Sequence, residues 1–342
     1  MKEILKKLAS GYNLTGQEAA GAASELMDGK CSEAETASFL TALRMKGETA
    51  EEIASIASAM RERCTHVRSP PGTMDLCGTG GARVKTFNVS TVSSIVVAAA
   101  GVPVAKHGNR SFTSRSGSAD LLESLGVNIS IEPEKASAML NSTGITFLFA
   151  PLYHPAMKNV IGVRKALGFR TIFNILGPIS NPAGIRRQLI GVFSDEHVGR
   201  VAGALMKLGT ERAIVLHGSI GMDEISPSGR TVVEEVRNGS SERYEIDGSD
   251  FADYGTGEWK EQPVSDPADS AAHALRILEN GATEGERSIV LLNAGAALYV
   301  SGRCSTMEKG VEHALDTIES GRALAKLREF ALASDGHPEG GA

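Results

Sequence analysis

The sequence predicts an α/β protein with a small N-terminal helical domain and a larger α/β domain built on a central, mostly parallel sheet. Three observations carry that expectation. Residues 1–66 contain three S/T-x-x-E boxes, strand-type apolar runs then alternate with helical stretches, and a glycine-rich turn joins an early strand to an apolar helix.

The boxes at Thr15 to Glu18, Ser32 to Glu35 and Thr49 to Glu52 each open a helix, because the hydroxyl caps a free N–H and the glutamate reaches back to the cap residue. Gly29 and Gly47 stop the second and third helices, and Ile53, Ile56, Ala57 and Met60 stripe one face of the fourth. Pro70, Pro71 and Gly72 cannot continue a helix, so 67–73 reads as the linker into an α/β domain spanning 67–342. Strand-type runs at 102–105, 145–149, 189–193 and 213–216 alternate with helical stretches at 119–125 and 198–207. From Asp269 onward the pattern is helical, with 308–332 long and interrupted at Gly310 and Gly321.

The chain has 342 residues, 42% hydrophobic and 22% charged, an ordinary globular composition with room for two domains. The longest apolar stretch, 289–300, contains Asn293 and Gly295 and is too short to span a bilayer. No apolar run follows the N-terminal lysines, so the expected location is the cytoplasm, with no membrane partner. Cys31, Cys64, Cys77 and Cys304 lie far apart without a C-x-x-C, which argues against a thiolate zinc site and a redox pair and suits small core residues. A net charge of -6, 5% aromatic residues and a single Trp oppose a nucleic-acid binder. Yet Lys158, Arg164, Lys165, Arg170, Arg186 and Arg187 fall in 151–190 with no acid among them. Arg83, Lys85, Lys106, Arg110 and Arg115 face only Asp75 and Asp120 in 70–120. A pocket for a small anion and a solvated basic face would both produce such counts.

Four segments carry chemistry. The first runs Gly78-Thr79-Gly80-Gly81-Ala82-Arg83 through Thr91 into an apolar helix at 92–100, a loop whose N–H groups would face an anion such as phosphate. It is not a Walker loop, and Arg83 stands where a dinucleotide fingerprint needs its third glycine. An ordinary tight turn capped by Ser90 or Thr91 is the alternative. The second, Lys106 to Arg110 with Ser114 to Ser118, follows a strand, so both loops would reach one crevice at the strands' carboxyl ends. The third sets His154 ten residues before Arg164, just under three helical turns, so both can look toward one face, where a guanidinium suits a carboxylate. The fourth is Asp223-Glu224, acids that suit Mg²⁺ bridging to phosphate oxygens. No G-x-S-x-G or H-E-x-x-H supports a hydrolase or metalloprotease.

Together these segments resemble the anthranilate phosphoribosyltransferase family over nearly the whole chain. Its motifs stand in order as GTGG from Gly78, NVST from Asn88, KHGNR from Lys106, SGSAD from Ser116, HPAMKNV from His154, RTIFNILGP from Arg170 and DEIS from Asp223. The resemblance implies the nucleoside phosphorylase and phosphoribosyltransferase type of fold. Its small domain, 1–66 joined by a helical part of about 163–185, would make a homodimer contact, with the cleft at the hinge. It also implies a reaction, in which anthranilate attacks C1 of phosphoribosyl pyrophosphate in tryptophan synthesis.

Carried over by position, Gly78, Thr79, Gly80, Gly81, Ala82, Lys85, Thr86, Asn88, Val89, Ser90, Thr91, Lys106, His107, Gly108, Asn109, Arg110, Ser111, Phe112, Thr113, Ser114 and Ser118 would hold the phosphoribosyl pyrophosphate. Gly78, His107, Asn109, His154, Arg164 and Gly177 would take the anthranilate, and Ser90, Asp223 and Glu224 two Mg²⁺ per active site. No acid or base catalyst is implied, since an aromatic amine is already neutral, and Lys106 would stabilise the leaving charge. Ala82-Arg83 departs from the family's usual Asp-Gly, and Lys85-Thr86 is similar to the phosphate loop of pyrimidine nucleoside phosphorylases, the runner-up reading. A non-enzymatic nucleic-acid-binding relative would predict net basicity instead.

Overall fold

The computed structural model describes residues 1–81, 83–84, 86–111, 115–254, 256–257 and 259–336. Four helices come first: α1 (Lys2–Ala9), α2 (Gly16–Met27), α3 (Glu33–Lys46) and α4 (Ala50–Arg61). All three expected boxes are made, with Thr15, Ser32 and Thr49 accepting from the N–H three residues on and the glutamates answering. The chain continues as β1 (Met74–Gly78), α5 (Val89–Ala99), β2 (Val104–Gly108), α6 (Ser118–Ser124), α7 (Pro133–Ser142), β3 (Ile145–Phe149), α8 (Ala150–Tyr153), α9 (Lys158–Leu167) and α10 (Phe173–Ile179). It ends as β4 (Arg187–Gly191), α11 (Asp195–Lys207), β5 (Arg212–Gly218), β6 (Arg230–Arg237), β7 (Ser240–Asp247), α12 (Pro267–Leu278), α13 (Glu284–Ser301), α14 (Met307–Glu319) and α15 (Arg322–Ala333).

The strands form one sheet in the order β3-β2-β1-β4-β5-β6-β7, parallel from β3 to β5 and antiparallel where β6 and β7 join. Strand order reverses between β1 and β4, with β2 and β3 added to one side and β5 to the other, the place where open α/β sheets receive ligands. On one face, α5 is buried nearly all round and packs on β1, α13, α14 and α15, which explains its lack of a polar stripe. On the other face, α11 packs on β5 and α4, and α10 on β2 and α4, while α9 lies against α2 and α3. A small N-terminal helical domain thus adjoins a larger α/β domain, as expected. The apolar stretch at 289–300 is the buried interior of α13, and among the described residues no helix is long and apolar enough to cross a membrane.

Several expectations need correction. The hairpin β6–β7 was not anticipated. Helix α5 starts at Val89, so Ser90 and Thr91 sit in its first turn and Asn88 is the cap residue. Gly321 separates α14 from α15, but Gly310 lies inside α14, where its small size lets the helix backbone approach Gly295 of α13. Cys64 and Cys77 are buried, whereas Cys31 and Cys304 are only partly so.

Candidate active site

The first loop leaves β1 at Gly78 and folds against the 218–224 turn that follows β5. Thr79 N–H donates to the Gly191 carbonyl at 2.9 Å, and Arg83 and Val84 N–H both donate to the Gly221 carbonyl, at 2.8 and 3.0 Å. Two acids close the contact: Asp223 Oδ2 accepts from Gly80 N–H at 2.9 Å and Glu224 Oε1 from Thr86 Oγ1 at 3.1 Å. Gly78 and Gly191 are what let this happen. A Cβ on Gly78 would collide with the Asp223 carboxylate, and one on Gly191 with the Asp223 backbone. Asp223, Glu224 and Ser90 line one pocket with Leu76, Cys77, Gly191 and Asn293.

The second loop joins the first from β2. Lys106 Nζ donates to the Leu76 carbonyl at 2.7 Å and to Ser90 Oγ at 3.2 Å. Burial pushes this ammonium below its ordinary value, and Asp75 opposes the shift. Asn88 joins the loops, its amide donating to the Ser116 carbonyl at 3.1 Å and its oxygen accepting from Ser116 Oγ at 3.0 Å. Asn109 Oδ1 accepts from Arg110 N–H at 2.8 Å, while Asn109 N–H donates to Ser118 Oγ at 3.2 Å. The Arg110 guanidinium is held by Asp120 at 2.9 Å and Glu123 at 2.8 Å, and Ser111 N–H also donates to Asp120. Val89 and Thr91 are buried in the first turn of α5, and Gly108 ends β2. Ala82, Lys85, Phe112, Thr113 and Ser114 lie outside the described residues.

A neutral wall stands beside these donors. His107 Nδ1 lies 3.0 Å from the Gly177 carbonyl, so this nitrogen carries the proton and Nε2 is a bare acceptor. Burial pushes His107 down to about 3, helped by His154, with the Gly177 bond opposing. Burial likewise pushes His154 down to about 4. Their rings stand 5.0 Å apart, tilted by 53°, and a side chain at Gly177 would meet open space. The single helix expected to carry both His154 and Arg164 is not formed, since His154 caps the end of α8 and only Arg164 is on α9. Arg164 instead lies 5.4 Å over the Phe173 ring, which fixes its stem beside α10.

Part of the basic excess is structural. Arg186 and Arg187 both pair with Glu211, at 3.0 and 3.3 Å, on the far end of the sheet from the loops. Arg170 does belong near the site: it donates to the Gly81 carbonyl and stacks 4.4 Å over Phe193. Its place beside the loop was missed because a single arginine after Gly168-Phe169 is unremarkable in sequence. Asp75 and Asn181 were missed too. An acid in the middle of a strand is a signal, but its partner stands 106 residues away.

A family profile described as the helical bundle domain of a glycosyl transferase family matches residues 2–64, and one described as that family's a/b domain matches 70–324. Fold and profiles therefore define a glycosyl transferase of this two-part class. An anthranilate phosphoribosyltransferase from Rubrobacter xylanophilus is 47% identical over 98% of this chain and 97% of its own. The crystal structure of that enzyme from Thermus thermophilus superposes with a TM-score of 0.90 at 38% identity, covering 97% of this chain and 99% of the other. The Saccharomyces cerevisiae enzyme, in complex with phosphoribosyl pyrophosphate and Mg, gives 0.87 at 28% identity over 97% of each chain. The chain belongs to the anthranilate phosphoribosyltransferase family.

Proposed function

We infer that this cleft moves the phosphoribosyl group of phosphoribosyl pyrophosphate onto the amine of anthranilate, giving N-(5-phosphoribosyl)anthranilate and pyrophosphate in tryptophan biosynthesis. One observation carries the reading: the 78–91 loop, Lys106 and the Asp223-Glu224 pair meet at one end of the cleft, and two neutral histidines with Gly177 form its wall beside them. Near-full-length likeness to enzymes of this name favours it over a pyrimidine-nucleoside-phosphorylase-like enzyme and over a nucleic-acid-binding relative.

The amine nitrogen attacks C1 of the ribose as the C1–oxygen bond to pyrophosphate breaks, the electron pair leaves with pyrophosphate, and the new C–N nitrogen releases one proton to the departing pyrophosphate or to water. The residues have little proton chemistry to do beforehand, because the attacking amine is neutral. Lys106, tethered to Leu76 and Ser90, supplies a fixed cation for the leaving anion, with the backbone N–H groups of the glycine loop around it. Arg164 would grip the anthranilate carboxylate, and the neutral His107 and His154 bring no competing charge to the aromatic ring. Asn109 would face the same substrate from the second loop.

Mg²⁺ fits the donors present. Ser90 and the two acids offer hard oxygen, and among the described residues no group of three or more His, Cys, Asp or Glu could hold a metal alone. That suits an ion that draws most of its ligands from phosphate oxygens. Bound there by Ser90, Asp223 and Glu224, two such ions would neutralise pyrophosphate charge as it develops.

The remaining assignments follow from the same reading. The small domain comprises 1–66 with about 163–185, supported by the packing of α9 and α10 on α2, α3 and α4. A homodimer would form through the N-terminal helices, where Met45 and Tyr12 are 82% and 66% exposed beside a groove lined by Leu8, Ala37 and Ala42. The cytoplasm suits a biosynthetic enzyme of this kind. The test mixes pure protein with anthranilate, phosphoribosyl pyrophosphate and Mg²⁺ and follows anthranilate fluorescence. Mg²⁺-dependent loss of signal is the expected result, and a constant signal with active controls would overturn the reading.

A further inference from the structure

Beyond the pair Met74 and Val104, β1 and β2 stop bonding as a ladder, although β1 pairs with β4 through Gly78 and β2 with β3 through Gly108. A continued parallel ladder would give the His107 N–H to the Leu76 carbonyl and the Leu76 N–H to the Ala105 carbonyl. Side chains take those places instead. The His107 N–H donates to Asp75 Oδ1 at 3.3 Å, the Leu76 carbonyl accepts from Lys106 Nζ at 2.7 Å, and the Ala105 carbonyl accepts from Asn181 Nδ2 at 2.8 Å. Asn181 Nδ2 also donates to Asp75 Oδ2 at 2.8 Å, and Asn181 Oδ1 accepts from Ala183 N–H at 2.9 Å. Asp75 and Asn181 are 0% and 1% exposed. A buried carboxylate is costly unless its hydrogen bonds are made, and here both oxygens are engaged.

We propose that Asp75 and Asn181 form a polar wedge that holds β1 and β2 apart where the cleft begins, and so act as positioning residues for Lys106 and His107. The two strands could otherwise zip together, which would withdraw the Leu76 carbonyl from the lysine and turn the His107 backbone inward. With the wedge in place, two of the three ammonium hydrogens are spent on Leu76 and Ser90, which sets the direction of the third. The wedge also ties the 180–183 segment, just past α10, to β2, so the Gly177 end of the cleft and the Lys106 end share one support. This deepens the functional reading and rests on it.

The test is a mutant cycle with a structural readout beside it. Asp75→Asn keeps the size of the side chain but sets an amide against the Asn181 amide. We expect its kcat to fall about tenfold or more while KM for anthranilate stays within about twofold, and its addition to Lys106→Ala to cost less than about twofold further. Losses that multiply in the double variant, or an unchanged kcat in Asp75→Asn, would overturn the proposal. Asn181→Ser reads the same coupling should Asp75→Asn fail to fold. Amide exchange needs no turnover: in either variant, slower exchange at Leu76, as its N–H gains the Ala105 carbonyl, supports the wedge, and unchanged or uniformly altered exchange refutes it. Wild-type protein inert toward anthranilate would overturn the functional reading alone and leave the wedge to the exchange result.

Discussion

Asp223 shows how a single side chain is placed by what its neighbours lack. Its carboxylate lies against Gly78 and its backbone against Gly191, so the acid reaches the glycine loop only because two strands end without side chains. Gly78→Ala should therefore displace Asp223, and a lower Mg²⁺ affinity by calorimetry would register it. Asp223→Asn with Glu224→Gln removes both carboxylates, and we expect turnover to drop by about a hundredfold or more at any Mg²⁺ level. A near-normal rate in that double variant would remove the assigned role.

The histidines make a residue-scale statement about pH. Burial holds His107 at about 3 and His154 at about 4, below their ordinary 6.5, so both fold neutral. As pH falls below 6.5 the unfolded chain binds protons that the folded chain refuses, and stability declines from there toward about 4. Asp75 works in the opposite sense: held up to about 6 chiefly by burial, it favours the folded state as pH falls from about 6 toward 3.8. His197, pushed down to about 4 by burial, adds a third group of the same sign, so with these histidines outweighing one acid the thermal midpoint should fall between pH 7 and pH 5, and His154→Gln should flatten that fall. An unaltered slope in the variant would show that His154 titrates normally.

Among the elements, the N-terminal helices were the most legible, because a capping box is a local device whose donors and acceptors lie three residues apart. Their unequal importance was not legible. Glu52 of the α4 box is fully buried, accepting from Leu14 N–H at 2.9 Å and Thr49 N–H at 2.8 Å and pairing with Lys46 at 2.8 Å, so one carboxylate joins α4, the end of α3 and the turn before α2. Glu52→Ala would leave the Leu14 and Thr49 N–H groups without their acceptor and break the ion pair to Lys46, and we expect a loss of about 3–5 kcal/mol by urea denaturation. Ser32→Ala, which removes only an exposed cap, should cost about 1 kcal/mol. Equal losses would show that the α4 box is no more than a cap. The hairpin β6–β7 carried a signal that went unused, for Asn238 and Gly239 both take positive φ, 48° and 86°, as the Asn-Gly pair of a tight hairpin turn does.

For the whole molecule, the exposed Met45 and the groove between α1 and α3 predict association. Light scattering at micromolar concentration should give twice the chain mass, and Met45→Glu should shift it toward monomer; a monomeric wild type would refute the dimer.

The sequence by itself determined what depends on short separations or on a motif whole within one segment: the capped helices, the alternation that makes the parallel sheet, the glycine loop and the Asp223-Glu224 pair. Tertiary structure alone decided which charges count. Arg186 and Arg187 spend themselves on Glu211, Arg170 turns to the glycine loop, His154 leaves the helix that carries Arg164, and Asp75 meets Asn181 between strands that part at the cleft. The physical reason is that a charge's effect depends on its burial and its partners, and these come from segments a hundred residues apart whose residue types say nothing of one another until the sheet is assembled.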